Sequence, residues 1–149
     1  SSFVKNACYE WKSGGAAIVN QTDGKIDIIS SSFKNNVVSY YKSGGGAIVN
    51  FGEINIGKSE FLKNESTWGG AIFNDFQSKM TIYNSVFKEN HAERCGGAIY
   101  HYYPNRLKIV NTLFKGDYYD SICTYKKEHL QLSDCRFSGF SKPDVYYLR

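Results

Sequence analysis

Carboxylates and histidines are the residues of this chain that could carry chemistry. Glycoside hydrolysis needs two acids facing one bond, and a calcium cage needs several oxygen ligands held together. Asp23, Glu53 and Asp75 occur in corresponding segments but stand at three different distances from the apolar residues that follow them. The other candidates fall out of phase or near an irregular end: His91, His101, His129, Asp117, Asp120 and Asp134. No catalytic pair emerges, so we expect a protein that is not an enzyme and uses no cofactor and no metal.

Four cysteines supply the remaining reactive groups: Cys8, Cys95, Cys123 and Cys135. They allow three disulfide pairings, and the sequence does not choose among them. No Cys-x-x-Cys spacing is present, which argues against a zinc site. Cys135 shares the phase of a position that is otherwise Ser31, Ser59, Ser85 and Thr112. We expect that position to face inward, as an ordinary buried thiol would.

A repeated unit must position these side chains. Five times, two apolar residues flank one other residue and a phenylalanine follows the second by five positions, as in Ile54, Ile56 and Phe61. Upstream of each copy stands a glycine unit such as Gly69-Gly70-Ala71-Ile72. Its isoleucines, from Ile18 to Ile122, follow one another at steps of 30, 24, 27 and 23 residues. Repeats of this length bury their apolar faces only against neighbouring copies.

The local period selects the kind of solenoid. An apolar residue at every second position indicates strands, not helices. Steps of 23 to 30 residues are too short for a propeller blade and are typical of one turn of a parallel β-helix. We therefore predict an all-β, single-stranded parallel β-helix of about five coils. Its predicted divisions are a partial coil 1–12, coils 13–42, 43–68, 69–95, 96–118 and 119–140, and a cap or exit segment 141–149.

Stacking in register should place like residues on like. One aromatic column is predicted inside the coil: Phe3, Phe33, Phe61, Phe87, Phe114 and Phe137. Two asparagine ladders should accompany it: Asn6, Asn36, Asn64 and Asn90, and Asn20, Asn50 and Asn74. An amide can accept from one neighbouring coil and donate to the other, and asparagine tolerates the left-handed backbone of a sharp bend. The glycine units should form another corner, since no Cβ obstructs the turn there.

Composition agrees with an extracellular surface protein. The 149 residues are 42% apolar with a net charge of +4, which indicates one domain with a core. No apolar run approaches 18 residues, so we expect no transmembrane segment. The positive charge is diluted by 14 acids and no nucleic-acid motif appears, so nucleic acid is not expected as a partner. Because the sequence opens within a repeat, we expect it to be cut from a longer polypeptide.

Two alternating motifs carry a family resemblance. Gly-Gly-Ala-Ile, at Gly69 to Ile72 and Gly96 to Ile99, alternates with Phe-x-x-Asn, as at Phe61 to Asn64. This pattern resembles the repeats of chlamydial polymorphic membrane proteins and is similar to the adhesin-like surface proteins of methanogenic archaea. The resemblance covers Phe3 to Phe137. It implies a right-handed parallel β-helix, display on the cell surface, and adhesion.

The variable segments indicate where binding should occur. The spacing from each phenylalanine to the next corner isoleucine is 15, 15, 11, 12 and 8 residues. The spacing from each corner isoleucine to the alternating apolar pair that follows is nearly constant. Segments of variable length are typical of protruding loops, which often carry function. They hold the predicted binding residues: Tyr9, Trp11, Tyr40, Tyr41, Trp68, His91, Arg94, Tyr118 and Tyr119. The alternative is that these rings fold back and shield a flank of the helix.

Strand alternation predicts a second surface. If the corner isoleucines point inward, their neighbours form an outer apolar stripe: Val19, Val49, Phe73 and Tyr100. Such a stripe could join copies of the chain, unless adjacent side chains cover it.

The resulting interpretation is a cell-surface, adhesin-like segment that recognises a protein or glycan through its aromatic loops. A structural spacer or assembly unit of a surface filament, with self-association, is the alternative. A polysaccharide lyase or hydrolase is a third reading, which would need an acid cluster that the sequence does not show.

Overall fold

The computed structural model describes residues 1–9, 17–102, 105–139 and 144–148. Across these ranges the chain is a β-solenoid, and its one helical element is the single 3-10 turn Lys127–His129. All strand pairs are parallel, and each strand pairs with the equivalent strand of the next coil. The predicted fold class is confirmed. In the part of the chain described here, no helix is long and apolar enough to span a bilayer.

The strands of successive coils form four parallel sheets, numbered here in chain order within a coil, and the described residues of the fourth and fifth coils contribute no strand to sheet 4. Sheet 1 contains the corner isoleucines and comprises Ile18–Asn20, Ile48–Asn50, Ile72–Asn74, Ile99–His101, Ile122–Thr124 and Val145–Tyr147. Sheet 2 contains the alternating apolar pairs and comprises Lys25–Ile29, Glu53–Gly57, Lys79–Tyr83, Leu107–Val110 and Leu130–Ser133.

The other two sheets complete the coil. Sheet 3 contains the phenylalanines and comprises Ser2–Val4, Ser32–Lys34, Glu60–Leu62, Val86–Lys88, Leu113–Lys115 and Arg136–Ser138. Sheet 4 leads into the variable loops and comprises Ala7–Cys8, Val37–Val38, Glu65–Trp68 and His91–Cys95. Within the predicted cap segment, Val145 pairs with Ile122, so sheet 1 continues past the fifth coil.

The phenylalanine column runs through the centre of the core. Consecutive ring centroids lie 4.6 to 5.0 Å apart, and the rings are within 12° of parallel. The four inner rings, from Phe33 to Phe114, have no solvent exposure. This spacing matches the distance between parallel strands, so the rings stack because the strands pair in register.

The asparagine ladders follow the bends beside the column. The Asn64 amide nitrogen donates to Asn90 Oδ1 at 3.0 Å, and the backbone N–H of Asn64 donates to the same oxygen. A second bond of the Asn64 amide nitrogen reaches the carbonyl of Phe33, in the preceding coil. Each ladder asparagine thereby satisfies backbone groups that the bend removes from the sheets.

Asparagine was expected to take the left-handed backbone conformation at the bends of the first ladder, but its neighbours do. The ladder asparagines are not left-handed; the residues directly before them are, namely Lys5, Asn35, Lys63 and Glu89, with φ of 52° to 55°. This placement turns the chain just ahead of each asparagine, so its amide and N–H can both point along the solenoid axis. At the other corner Gly45, Gly69 and Gly96 have positive φ as predicted, and Tyr119 takes the same conformation in the fifth coil.

The phenylalanine column yields a stability prediction. Phe61→Ala should lower the free energy of unfolding by about 3 to 5 kcal/mol, because it leaves a cavity between the stacked rings of Phe33 and Phe87. Urea unfolding of the variant measures this. Leu62→Ala is the matched control, since Leu62 is only half-buried on the same strand. A Phe61 variant as stable as the control would show that the phenylalanine column does not stabilise the fold.

Candidate functional site

The outer stripe is largely covered by the variable loops. Alternation places the stripe on the outer face as predicted, but Val49 is 2% exposed and Tyr100 is 5% exposed, whereas Val19 is open at 38%. Gly44, in the loop of the second coil, lies against the Phe73 ring so closely that a Cβ there would fall 2.2 Å from Cδ2. The loops therefore fold back over sheet 1 and form a second, smaller core. The open apolar face expected for self-association is absent at Val49 and Tyr100.

A disulfide fastens this second core. Cys95, at the end of its sheet 4 strand, bonds to Cys123 of sheet 1, with 5.7 Å between their Cα atoms. The bond packs with Tyr100, and Trp68 and Phe73 lie against them. Cys135 is a free thiol. Cys135 Sγ lies 3.4 Å from the carbonyl of Ser133, two residues earlier. The serine hydroxyls at the same position of preceding coils also donate to the carbonyl two residues earlier.

Arg94 lies between two predicted binding rings. Its guanidinium carbon is 5.9 Å from the Tyr41 ring centroid and 5.8 Å from that of Trp68. These distances allow cation–π attraction on both sides. Tyr41 is 64% exposed, whereas Trp68 is half-buried and packs on Tyr100 at 5.1 Å. Side chains from three successive coils therefore meet at one arginine.

A shallow cleft of about 590 Å³ opens beside this arginine. Its walls are Trp68, Arg94, Cys95, Tyr119, Asp120, Tyr146 and Leu148. They combine aromatic rings, a guanidinium donor and a carboxylate acceptor, which is the mixture that a polar ligand with an apolar face requires. We name these residues, together with Tyr41, the loop cleft.

The remaining predicted binding residues divide into neighbours and outliers. Tyr118 contacts Tyr119 at 6.2 Å and meets His91 edge-on at 4.9 Å. His91 Nδ1 also lies 3.6 Å from Glu65. Tyr40 is half-buried, and its carbonyl accepts a hydrogen bond from the Thr67 hydroxyl, which ties its loop to the next coil. Tyr9 is 73% exposed and does not line the cleft, and Trp11 lies outside the described residues.

One comparison with known proteins gives a match. The model of the Chlamydia polymorphic membrane protein repeat matches residues 84–102. Residues 84–102 of this chain are thus similar to that repeat. No curated protein and no solved structure matches the chain. The matched polymorphic membrane protein repeat includes Phe87-x-x-Asn90 and Gly96-Gly97-Ala98-Ile99, and therefore both motifs on which the resemblance was predicted.

The matched repeat also contributes to the loop cleft and to a ladder. Arg94 and Cys95 stand between its two motifs, where sheet 4 leads into the glycine corner. Within the repeat, the last asparagine position of the second ladder is occupied by His101. Asn74 donates its amide to His101 Nδ1 at 3.0 Å, so this nitrogen must accept and the ring proton lies on Nε2, which donates to the carbonyl of Asn105.

Burial keeps His101 neutral. It lowers the pKa of His101 to about 4, although the bond to the Asn105 carbonyl opposes this shift. The unfolded chain then binds a proton between pH 6.5 and 4 that the folded chain does not. The contribution of neutral His101 to stability is complete above pH 6.5 and is lost as the pH falls to 4.

His101→Asn should remove this acid sensitivity. An asparagine can still accept from Asn74, as the earlier ladder members do, but it does not titrate. Wild-type protein should lose roughly 3 kcal/mol more than the variant between pH 6.5 and 4. Urea unfolding at several pH values measures the difference, with His91→Asn as the control. An equal loss in wild type and His101→Asn would contradict a buried neutral imidazole.

Asp117 ends the other ladder. Asn90 donates both its backbone N–H and its amide to Asp117 Oδ1 at 2.9 Å. Those bonds favour the carboxylate, but burial dominates and raises the pKa of Asp117 to about 7. Because the folded pKa is raised, this group costs stability as the pH rises from about 4 to 7.

Asp117→Asn should therefore stabilise the protein in alkaline solution. The new amide would still accept from Asn90, and it could donate to the carbonyl of Phe87, as Asn90 donates to that of Phe61. We expect a gain of up to about 4 kcal/mol at pH 8 and little gain at pH 4. Denaturant unfolding at both values tests this, with exposed Asp23→Asn as control. A variant less stable at pH 8 would mean that the ladder needs the charge.

A further set of residues escaped the sequence predictions. Phe76, Tyr102 and Tyr125 lie at the bends between sheets 1 and 2, beside Lys79 and other cations. The nearly constant length of that segment is typical of scaffold, whereas the predicted binding residues all lie in segments of variable length. A ring in every bend from the third coil to the fifth was the signal that could have found them.

Proposed function

We propose that this chain is part of a cell-surface, adhesin-like protein and that it recognises a protein or glycan partner through the loop cleft, without catalysis. The observation that carries the proposal is the convergence of Tyr41, Trp68 and Arg94 from three coils. Aromatic and arginine side chains supply much of the binding energy in recognition surfaces because they offer large area at small entropic cost. The sequence predicted these residues as binding residues from loop variability alone.

Surface display is supported by two observations. Residues 84–102 match the repeat of the Chlamydia polymorphic membrane proteins, whose name places them at a membrane. The Cys95–Cys123 disulfide suits an oxidising compartment such as the cell exterior. The disulfide also stiffens the wall of the cleft, since Cys95 both bonds and lines it.

The side chains of the cleft are held before a partner arrives. Arg94 loses rotamer freedom between the two rings, and Trp68 is fixed on Tyr100. A guanidinium fixed in this way presents its donors at the edge of its plane. Binding then costs little further ordering of these groups.

The test changes the exposed half of the cleft. Tyr41→Ala with Arg94→Ala should weaken binding of the chain to its partner by at least about 2 kcal/mol, as hot-spot residues do. The matched control, Tyr83→Ala with Arg136→Ala, removes one tyrosine and one arginine that do not line the cleft. Partners come from screening the chain against a glycan array and a panel of cell-surface ectodomains.

Melting temperatures separate binding from folding. The Tyr41/Arg94 variant should melt near wild type, because both residues are exposed and changes at exposed residues cost little. The melting temperature of the control is measured alongside, because Tyr83 is half-buried. Partners that bind wild type and the Tyr41/Arg94 variant equally well would place recognition elsewhere. A chain that binds nothing in either screen would favour the structural spacer.

A further inference from the structure

A second group of exposed rings lies at the bends between sheets 1 and 2. Phe76, Tyr102 and Tyr125 belong to three successive coils. Their ring centroids are 6.2 Å apart for the first pair and 5.2 Å for the second. Phe76 is 45% exposed and Tyr102 is 36% exposed. They form a row along the solenoid axis, which we name the bend row.

Three cations stand beside the bend row on the outer face of sheet 2. Lys79, Arg106 and Lys108 are all exposed. Lys108 pairs with Thr81 in register, which puts Arg106 next to Lys79 on the neighbouring strand. A shallow depression of about 390 Å³ lies among the three cations, and its other walls are Met80, Thr81, Asn105 and Gln131. The depression thus joins positive charge to neutral hydrogen-bonding groups.

These cations differ from those of sheet 3. Lys34 lies 2.9 Å from Glu60, and Lys63 and Lys88 both pair with Glu89. Among the residues that the structure describes, no ion pair involves Lys79, Arg106 or Lys108. The charge on the outer face of sheet 2 is therefore available to a ligand.

The nearest acids by register are already engaged. Glu53, beside Lys79 in sheet 2, lies 3.7 Å from Lys25. Glu128, in the next coil, lies 3.8 Å from Lys126. Asp75 uses one carboxylate oxygen to accept the backbone N–H of Phe76. These acids reduce the positive potential at the edges of the patch but leave its centre cationic.

The bend row and the cations are held together by one turn. His101 Nε2 donates to the carbonyl of Asn105 at 2.6 Å, and the Asn105 amide donates to the carbonyl of Phe76. Arg106 follows directly in the chain. The buried ladder thereby fixes the turn that carries both a ring and a guanidinium, which lowers the ordering cost of binding.

We propose that this surface binds a linear anionic polysaccharide. Its sulfate or carboxylate groups would contact Lys79, Arg106 and Lys108, and its sugar rings would lie against the bend row. From the third coil to the fourth, a ring and a cation advance together by about 4.8 Å, so a polymer with a repeated ring and charge fits. The rings are tilted by 52° and 84° to one another, which leaves no parallel gap for stacked bases. The site is separate from the loop cleft and goes beyond the function proposed there.

Binding of defined oligosaccharides to the chain tests the proposal. Titration calorimetry compares a heparin-derived hexasaccharide, hexagalacturonic acid, neutral maltohexaose and a thymidine decanucleotide. We expect binding of at least one acidic hexasaccharide, weakened by added salt, and none of maltohexaose. The two acidic probes distinguish sulfate from carboxylate as the recognised group.

Two triple variants with the same change in net charge isolate the patch. Lys79→Gln, Arg106→Gln and Lys108→Gln should weaken acidic saccharide binding roughly tenfold or more. Lys34→Gln, Lys63→Gln and Lys88→Gln, on sheet 3, should leave it within about twofold because their field lies on another face. Phe76→Ala should weaken it with all three cations in place. Each variant is checked by its melting temperature.

Three results would overturn the proposal. The two triple variants could weaken binding equally, which would reduce it to net charge. The decanucleotide could bind more tightly than both acidic saccharides, which would make nucleic acid the ligand. If neither acidic hexasaccharide binds the wild-type chain, the surface is not a polysaccharide site.

Discussion

The in-register stacking of the coils is the constraint on which the rest of this structure depends. A slip of one residue in any strand would turn its buried side chains to the solvent face. The amide ladders oppose such a slip, since Asn64 is bonded to Asn90 in one direction and to the carbonyl of Phe33 in the other. The phenylalanine column adds packing at the same spacing. Both candidate surfaces are rows of residues from successive coils, and both exist only while the register holds.

The scaffold could be predicted from the sequence because register converts spacing into position. Phe61 and Phe87 have equal places in their repeats, and parallel pairing alone brings their rings to 4.6 Å. Loop conformation has no such rule. The fold of the second-coil loop over Phe73 depends on a close approach at Gly44, and the Cys95–Cys123 bond depends on how the end of one sheet 4 strand approaches sheet 1. The left-handed bend residues were misplaced by one because side-chain preference does not say which residue turns the chain.

The variable loops both cover the solenoid and offer a surface. Trp68 and the disulfide shield Tyr100, while Tyr41 and Arg94 face solvent. Of the two readings left open by the sequence, shielding describes Trp68, whereas binding remains the proposal for Tyr41 and Arg94. A partner that contacts the cleft would touch residues whose own support is the second core. Changes at Trp68 would affect folding and recognition together, whereas changes at Tyr41 act on exposed surface.

The ladders also explain where non-asparagine residues are tolerated. Every described bond between ladder amides points the same way, with the donor in the earlier coil and the acceptor in the later one. An interior member must therefore both donate and accept, which asparagine does and aspartate cannot do while ionised. A last member needs only to accept. Asp117 and His101 each accept from an asparagine at the end of a ladder, and the free nitrogen of His101 is then available to fix the turn at Asn105. Departure from the repeat at a ladder end thus keeps the bond from the preceding asparagine, and at His101 it lets one buried residue connect the core to the turn at Asn105.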